Sequence, residues 1–132
     1  MGLECLLVTC DPTLLGQVQS GLGMHGASLH LRQDSASAIE LVSRRHLDGL
    51  VIDCDDVPGG TKALPELRST PANKHTLILA VVNGWTSTEK ALDLGADFAL
   101  SKPIQQTRLR SIIDIAMSRM EREHRRFQRV LR

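Results

Sequence analysis

Asp53 closes the run Leu50-Val51-Ile52, in which two of the three residues are β-branched, and turn-formers follow at Pro58-Gly59-Gly60. A short apolar run of this kind reads as a strand buried on both faces. In an open parallel sheet, groups just past the carboxyl ends of the strands line the crevice where ligands sit, so the pattern sets Asp53 at the mouth of such a crevice. The other reactive side chains give weaker signals. Cys5, Cys10 and Cys54 are odd in number and lack CxxC spacing, which points to neither a disulfide framework nor a zinc site. His25, His30, His46, His75 and His124 show no ligand spacing, and none is read as a metal ligand. No GxSxG or P-loop is present. Gly21-x-Gly23-x-x-Gly26 has the spacing of a dinucleotide fingerprint, but it follows a helix and precedes a strand, the reverse of the order that fingerprint needs.

The elements that must position Asp53 follow from the flanking pattern. Leu3 to Thr9 is apolar almost throughout and reads as a central first strand. Asp11-Pro12 supplies a helix cap and a first-turn proline, and Leu14, Leu15, Val18 and Leu22 give that helix an apolar stripe before Gly21, Gly23 and Gly26 end it. Ala27 to Leu31 reads as an edge strand. Asp34-Ser35 caps a second helix with Ala38, Ile39, Leu41 and Val42 inward. After the third strand, Gly49 to Asp53, a short helix is expected around Lys62–Arg68, stopped by Pro71. Thr76 to Val82 forms a fourth strand. Thr86 or Ser87 caps a fourth helix that Gly95 ends, and Phe98 to Leu100 forms a fifth strand. A last helix starts near Gln105 without a breaker before the end. Five strand–helix alternations predict a parallel sheet covered on both faces. Strand alternation turns Cys54 away from the Asp53 crevice, and Cys10 and Cys54 are both expected to be buried, inert thiols.

A chain of 132 residues is one domain with room for a sizeable core. Aromatics are limited to Phe98, Phe127 and Trp85, which argues against base-stacking platforms. No apolar run is long enough to cross a bilayer and no signal peptide opens the chain, so a cytoplasmic protein is expected. The net charge of +1 hides an asymmetry: residues 118–132 hold six Arg and two Glu, while the rest of the chain is net acidic. The expected organisation is a domain over residues 1–117 and a basic helical extension or linker over 118–132. Leu109, Ile113, Ala116, Met120, Phe127 and Val130 follow a 4-3 spacing interrupted at Glu123. Past Met117 no sheet is expected beneath this seam, which predicts a protein partner there, most simply a homodimer with Ile113, Met120 and Phe127 at the contact. Trp85, in the loop after the fourth strand, is a second candidate anchor.

Over residues 3–117 the chain resembles the receiver domains of two-component response regulators. The likeness rests on the five βα units, Asp53 at the end of the third strand, and Gly95-Ala96-Asp97 before a strand ending in Ser101-Lys102-Pro103. It implies a flavodoxin-like sheet of order 2-1-3-4-5 and a usually cis Lys-Pro bond. It also implies a phosphoacceptor position at Asp53, contacted by Lys102. Arg125-Arg126-Phe127-Gln128-Arg129 resembles the RxxxR segment that opens PilZ domains, so cyclic di-GMP enters as a ligand only through a downstream domain that this sequence lacks.

The sequence departs from the receiver pattern at several points. Thr9 and Cys10 stand where the family has two acidic Mg²⁺-holding residues. Magnesium wants hard oxygen ligands, which a thiol does not provide. Asp11 either caps the first helix or, with a shifted strand end, joins Asp53 as a metal ligand. The hydroxyl and aromatic switch positions fall on Ala80 and Ala99. The expectation is therefore a non-enzymatic signalling and interaction module of degenerate, pseudo-receiver type, with no cofactor. Two alternatives stand beside it: a working phosphorelay receiver in which Asp11 and Asp55 or Asp56 rebuild a Mg²⁺ site, and a nucleotide or nucleic-acid binder acting through the basic tail.

Overall fold

A computed structural model describes residues 2–84 and 86–130; Trp85 and the Phe127 side chain, two of the expected partner contacts, lie outside the described residues. Strands β1 (Glu4–Val8), β2 (Ser28–Arg32), β3 (Gly49–Asp53), β4 (Leu77–Asn83) and β5 (Phe98–Lys102) form one parallel sheet in the order β2-β1-β3-β4-β5. Helices α1 (Pro12–Gly23), α2 (Ser35–Arg44), α3 (Gly60–Ser69), α4 (Thr86–Asp93) and α5 (Gln106–Val130) cover both faces. This is the flavodoxin-like architecture expected from the alternation. Along β3, Leu50 and Ile52 point into a core with Ala38, Leu64 and Ala91, while Val51 points into the opposite core with Leu14, Val18 and Leu109. Among the described residues, no helix is long and apolar enough to cross a membrane.

Local chemistry explains most boundaries. Asp11 caps α1 by accepting from the Thr13 amide, and Asp34 caps α2 by accepting from the Ser37 amide. Gly21 lies inside α1 rather than ending it. A side chain there would meet Ile113 Cδ1 at 2.5 Å, so the glycine lets α5 approach α1. Helix α3 begins at Gly60, earlier than expected, where a Cβ would run into the Cys54 carbonyl; the β3–α3 loop closes this tightly only with glycine at that point. Pro71 stops α3 as expected: it holds the preceding residue, the C-cap Thr70, in extended backbone, so the helix ends at Ser69, and it then opens a single 3-10 turn, Pro71–Asn73. Thr86 is itself the first helical residue of α4 rather than its cap.

The main correction concerns α5. Ile113 and Met120, expected to face a partner, are buried at 5% and 4% exposure in the same core as β1, β3 and β4. The reason is geometric. Gly49 at the start of β3 carries no side chain, and the sulfur of Met120 occupies the space a Cβ would take. The sheet therefore still offers apolar surface beyond Met117, and α5 runs through residue 117 without a break. From Leu109 to Met120 the apolar seam is an intramolecular one, so Ile113 and Met120 no longer motivate a homodimer. Met120→Ala is expected to cost about 2–5 kcal/mol, the range for emptying a buried methionine site, in urea unfolding of the full chain. A change near zero would mean that α5 leaves the domain at this point.

A polar cluster fastens the same stretch to the amino edge of the sheet. Asp48 is 6% exposed; its carboxylate accepts from the Glu4 amide at 2.8 Å and faces His124 Nδ1 at 3.0 Å and His46 Nε2 at 3.5 Å. The hydrogen bond to Asp48 raises the His46 pKa, against partial burial. Burial alone would raise the Asp48 carboxyl, but His46, the Glu4 amide and His124 outweigh it and hold it below the usual value. A histidine with a raised folded pKa stabilises fully below its unfolded value of about 6.5 and loses that contribution as pH rises through the folded value. Asp48 contributes above its unfolded value of about 3.9 and loses this as pH falls through its lowered one. Unfolding free energy is thus expected to decline from roughly pH 6 to pH 8. The decline should flatten in His46→Gln; an unchanged pH slope in that variant would remove His46 from the account.

Candidate functional site

Parallel pairing brings the site together. Asp53 ends β3 and Lys102 ends β5, with β4 between them, and the Lys102 side chain spans the gap to place Nζ 3.1 Å from Asp53 Oδ2. The Lys102-Pro103 bond is cis, as the resemblance implied. On the other side, the pairing of Val8 with Ile52 sets Thr9 opposite Asp53, and the Thr9 hydroxyl donates to Asp53 Oδ2 at 2.8 Å. The same hydroxyl oxygen accepts from the Asp11 amide at 2.9 Å. Asp53 has no exposed surface, and its second oxygen, Oδ1, is buried without a hydrogen-bond partner among the described residues.

Lys102 serves more than one carboxylate. Its ammonium donates to Asp56 Oδ2 at 2.8 Å and lies 3.4 Å from Asp11 Oδ2. Partial burial works against its charge, but the hydrogen bonds and charges of Asp56 and Asp53 outweigh burial and raise its pKa above the ordinary lysine value. The hydrogen bond from Lys102 lowers the Asp56 pKa. The Asp11 pKa is lowered first by the Thr13 amide and then by Lys102, so it both caps α1 and borders the site. Asp55 accepts from the Asn83 backbone amide at 2.5 Å, which ties the β3–α3 loop to the end of β4.

Several expectations change in detail. Asp55 and Asp56, named as candidates to rebuild a metal site, are engaged instead by the Asn83 amide and the Lys102 ammonium. Thr9, read only as a missing acid, is the neutral hydrogen-bond donor to Asp53; its place one residue beyond β1, level with Asp53, was the available signal. Ala80 and Ala99 are direct partners in the β4–β5 register, so two methyl-bearing residues lie side by side where the resemblance leads one to expect a hydroxyl and an aromatic ring. Cys54 is buried, and burial pushes its thiol up to about 12. Cys10 is exposed, contrary to expectation, because it lies in the connection after β1 and its thiol donates to the Gln33 carbonyl at 3.3 Å. Among the described residues, no three His, Cys, Asp or Glu side chains are grouped to hold a metal. Arg125 and Arg126 are exposed on α5.

No family model matches the chain. The response regulator MprA of Mycobacterium sp. strain KMS is 30% identical over 105 residues, which are 78% of this chain and 45% of that protein. The chain thus spans less than half the length of the curated relatives it matches. The receiver domain of the sensor histidine kinase PA1611 from Pseudomonas aeruginosa PAO1, solved with a magnesium ion coordinated in its active site cleft, superposes with a TM-score of 0.75 at 24% identity, covering 89% of this chain and 99% of that one. A CheY-like response regulator receiver domain protein from Methanospirillum hungatei JF-1 gives a TM-score of 0.75 at 17% identity, covering 93% and 99%. At these identities the solved structures speak for the fold, and the curated relatives add sequence kinship. Together they support a receiver domain of the response-regulator type in this chain.

Proposed function

We propose that this chain is a non-enzymatic signalling module that works through protein partners, with its phosphoacceptor position held closed. The observation that carries this reading is the state of Asp53: it has no exposed surface, and one oxygen is held by both Thr9 and Lys102. Phosphoryl transfer relies on positioning and charge stabilisation around an accessible nucleophile. Here the nucleophile is covered, and a lysine ammonium already sits among the carboxylates. The donor set does not fit magnesium. Thr9 offers a neutral hydroxyl, Cys10 a thiol turned to Gln33, and Asp11 uses one oxygen as a helix cap. Ala80 and Ala99 supply neither a hydroxyl nor an aromatic ring to carry a switch movement.

A working receiver is the second reading, favoured by the unpartnered Oδ1 of Asp53 and by three carboxylates around one ammonium. Incubation with acetyl phosphate or beryllofluoride in Mg²⁺ buffer, read by intact mass or fluoride NMR, separates the two. The closed site is expected to give no stoichiometric adduct. A stable adduct that disappears in Asp53→Asn would establish the working receiver instead.

The ion pair makes a second, thermodynamic forecast. Lys102→Met strands the buried Asp53 charge and is expected to cost at least about 2 kcal/mol. Adding Asp53→Asn should recover much of that loss, because the stranded charge is then gone. Additive losses in the double variant would show that the two side chains do not depend on each other.

A further inference from the structure

A strongly basic cleft lies at the opposite, amino edge of the sheet. It has a volume of about 440 Å³ and is lined by Arg68, Lys74, Arg119, Arg122 and Arg126, with Asp97 and Glu123 as the acids. A second hollow of about 330 Å³ adjoins it and shares Lys74, His75, Glu123 and Arg126. The acids are already committed. Asp97 accepts from Arg68 at 2.6 Å, and Glu123 lies 3.5 Å from Arg126. Arg119 stacks over the Phe98 ring at 5.7 Å. The Lys74 carbonyl accepts from Arg68 at 3.3 Å, but the side chains of Lys74 and Arg122 have no hydrogen bond or ion pair among the described residues.

Arg119, Arg122 and Arg126 recur at three- and four-residue spacing, so they share one face of α5. Like charges four apart destabilise a helix, and Arg122 and Arg126 retain that repulsion at the cleft. With five cations against two acids the lining is net +3, histidine taken as neutral. A diphosphate group carries roughly three negative charges near neutral pH. Arginine forks suit phosphate oxygens, and the half-open cleft has the volume of a small-molecule site.

We infer that this cleft binds a small diphosphate-bearing anion, such as a nucleoside diphosphate, between α5 and the start of β4. The site is separate from Asp53 and independent of whether Asp53 accepts phosphate. Isothermal titration of the full chain with inorganic pyrophosphate and with adenosine diphosphate, in metal-free buffer at physiological salt, tests it with a free and a nucleotide-borne diphosphate. One saturable site per chain is expected for at least one of the two. Lys74→Glu and Arg122→Glu, both at exposed positions, should each weaken it at least tenfold. Arg110→Glu makes the same charge change at an exposed position of α5 outside the cleft and should leave binding within twofold. Absence of saturable binding, or equal weakening by Arg110→Glu, would overturn the inference. Binding to duplex DNA that strengthens with duplex length and resists pyrophosphate would overturn it too, in favour of a polymer surface.

Discussion

One ammonium group holds the carboxyl edge of this sheet together. Lys102 reaches from β5 over β4 to Asp53 on β3, and meets Asp56 from the β3–α3 loop and Asp11 from the start of α1. A parallel sheet collects its strand ends at one edge, so every strand that ends in a carboxylate adds to the same local field. Without a compensating cation the three carboxylates would repel one another across a partly buried space. The loop positions, the approach of α1 and the burial of Asp53 all depend on that one positive charge.

How far the sequence revealed this varied by residue. Asp53 was legible because it closes an apolar run, Lys102 because Ser101-Lys102-Pro103 resembles the receiver pattern, and strand order then brings the two together. The caps at Asp11 and Asp34 were legible because capping is local chemistry. The convergence of His46 and His124 on Asp48 was not, since no spacing rule links residues 76 positions apart. Nor was the fate of Met120. A 4-3 seam looks the same whether it packs on a second helix or on a sheet, and the deciding residue is Gly49, whose missing side chain makes room for the sulfur. Asn73 is a further case: its buried amide donates to the Val42 and Arg45 carbonyls and accepts from the Leu47 amide and the Thr76 hydroxyl, a junction invisible in a linear reading.

The two edges of the sheet thus carry different electrostatics. At the carboxyl edge acids outnumber the cation that holds them. At the amino edge, beside the Asp48 cluster, arginines of α5 outnumber the acids. A net charge near zero for the whole chain is compatible with two oppositely charged ends, and ligands of opposite sign would be drawn to opposite edges.

Helix α5 joins those ends. Its first turn follows the cis Lys102-Pro103 bond at the carboxyl edge, and His124 meets Asp48 at the amino edge. Mechanically it is a beam of 25 residues, roughly 37 Å long at 1.5 Å per residue, pinned near both ends and bedded on the sheet through Ile113, Met117 and Met120. A beam pinned at one end swings freely; pinned at two, it swings only after one pin is drawn. Swinging the far turns of α5 away from the sheet would therefore require both drawing the Asp48–His124 pin and lifting Met117 and Met120 out of the core.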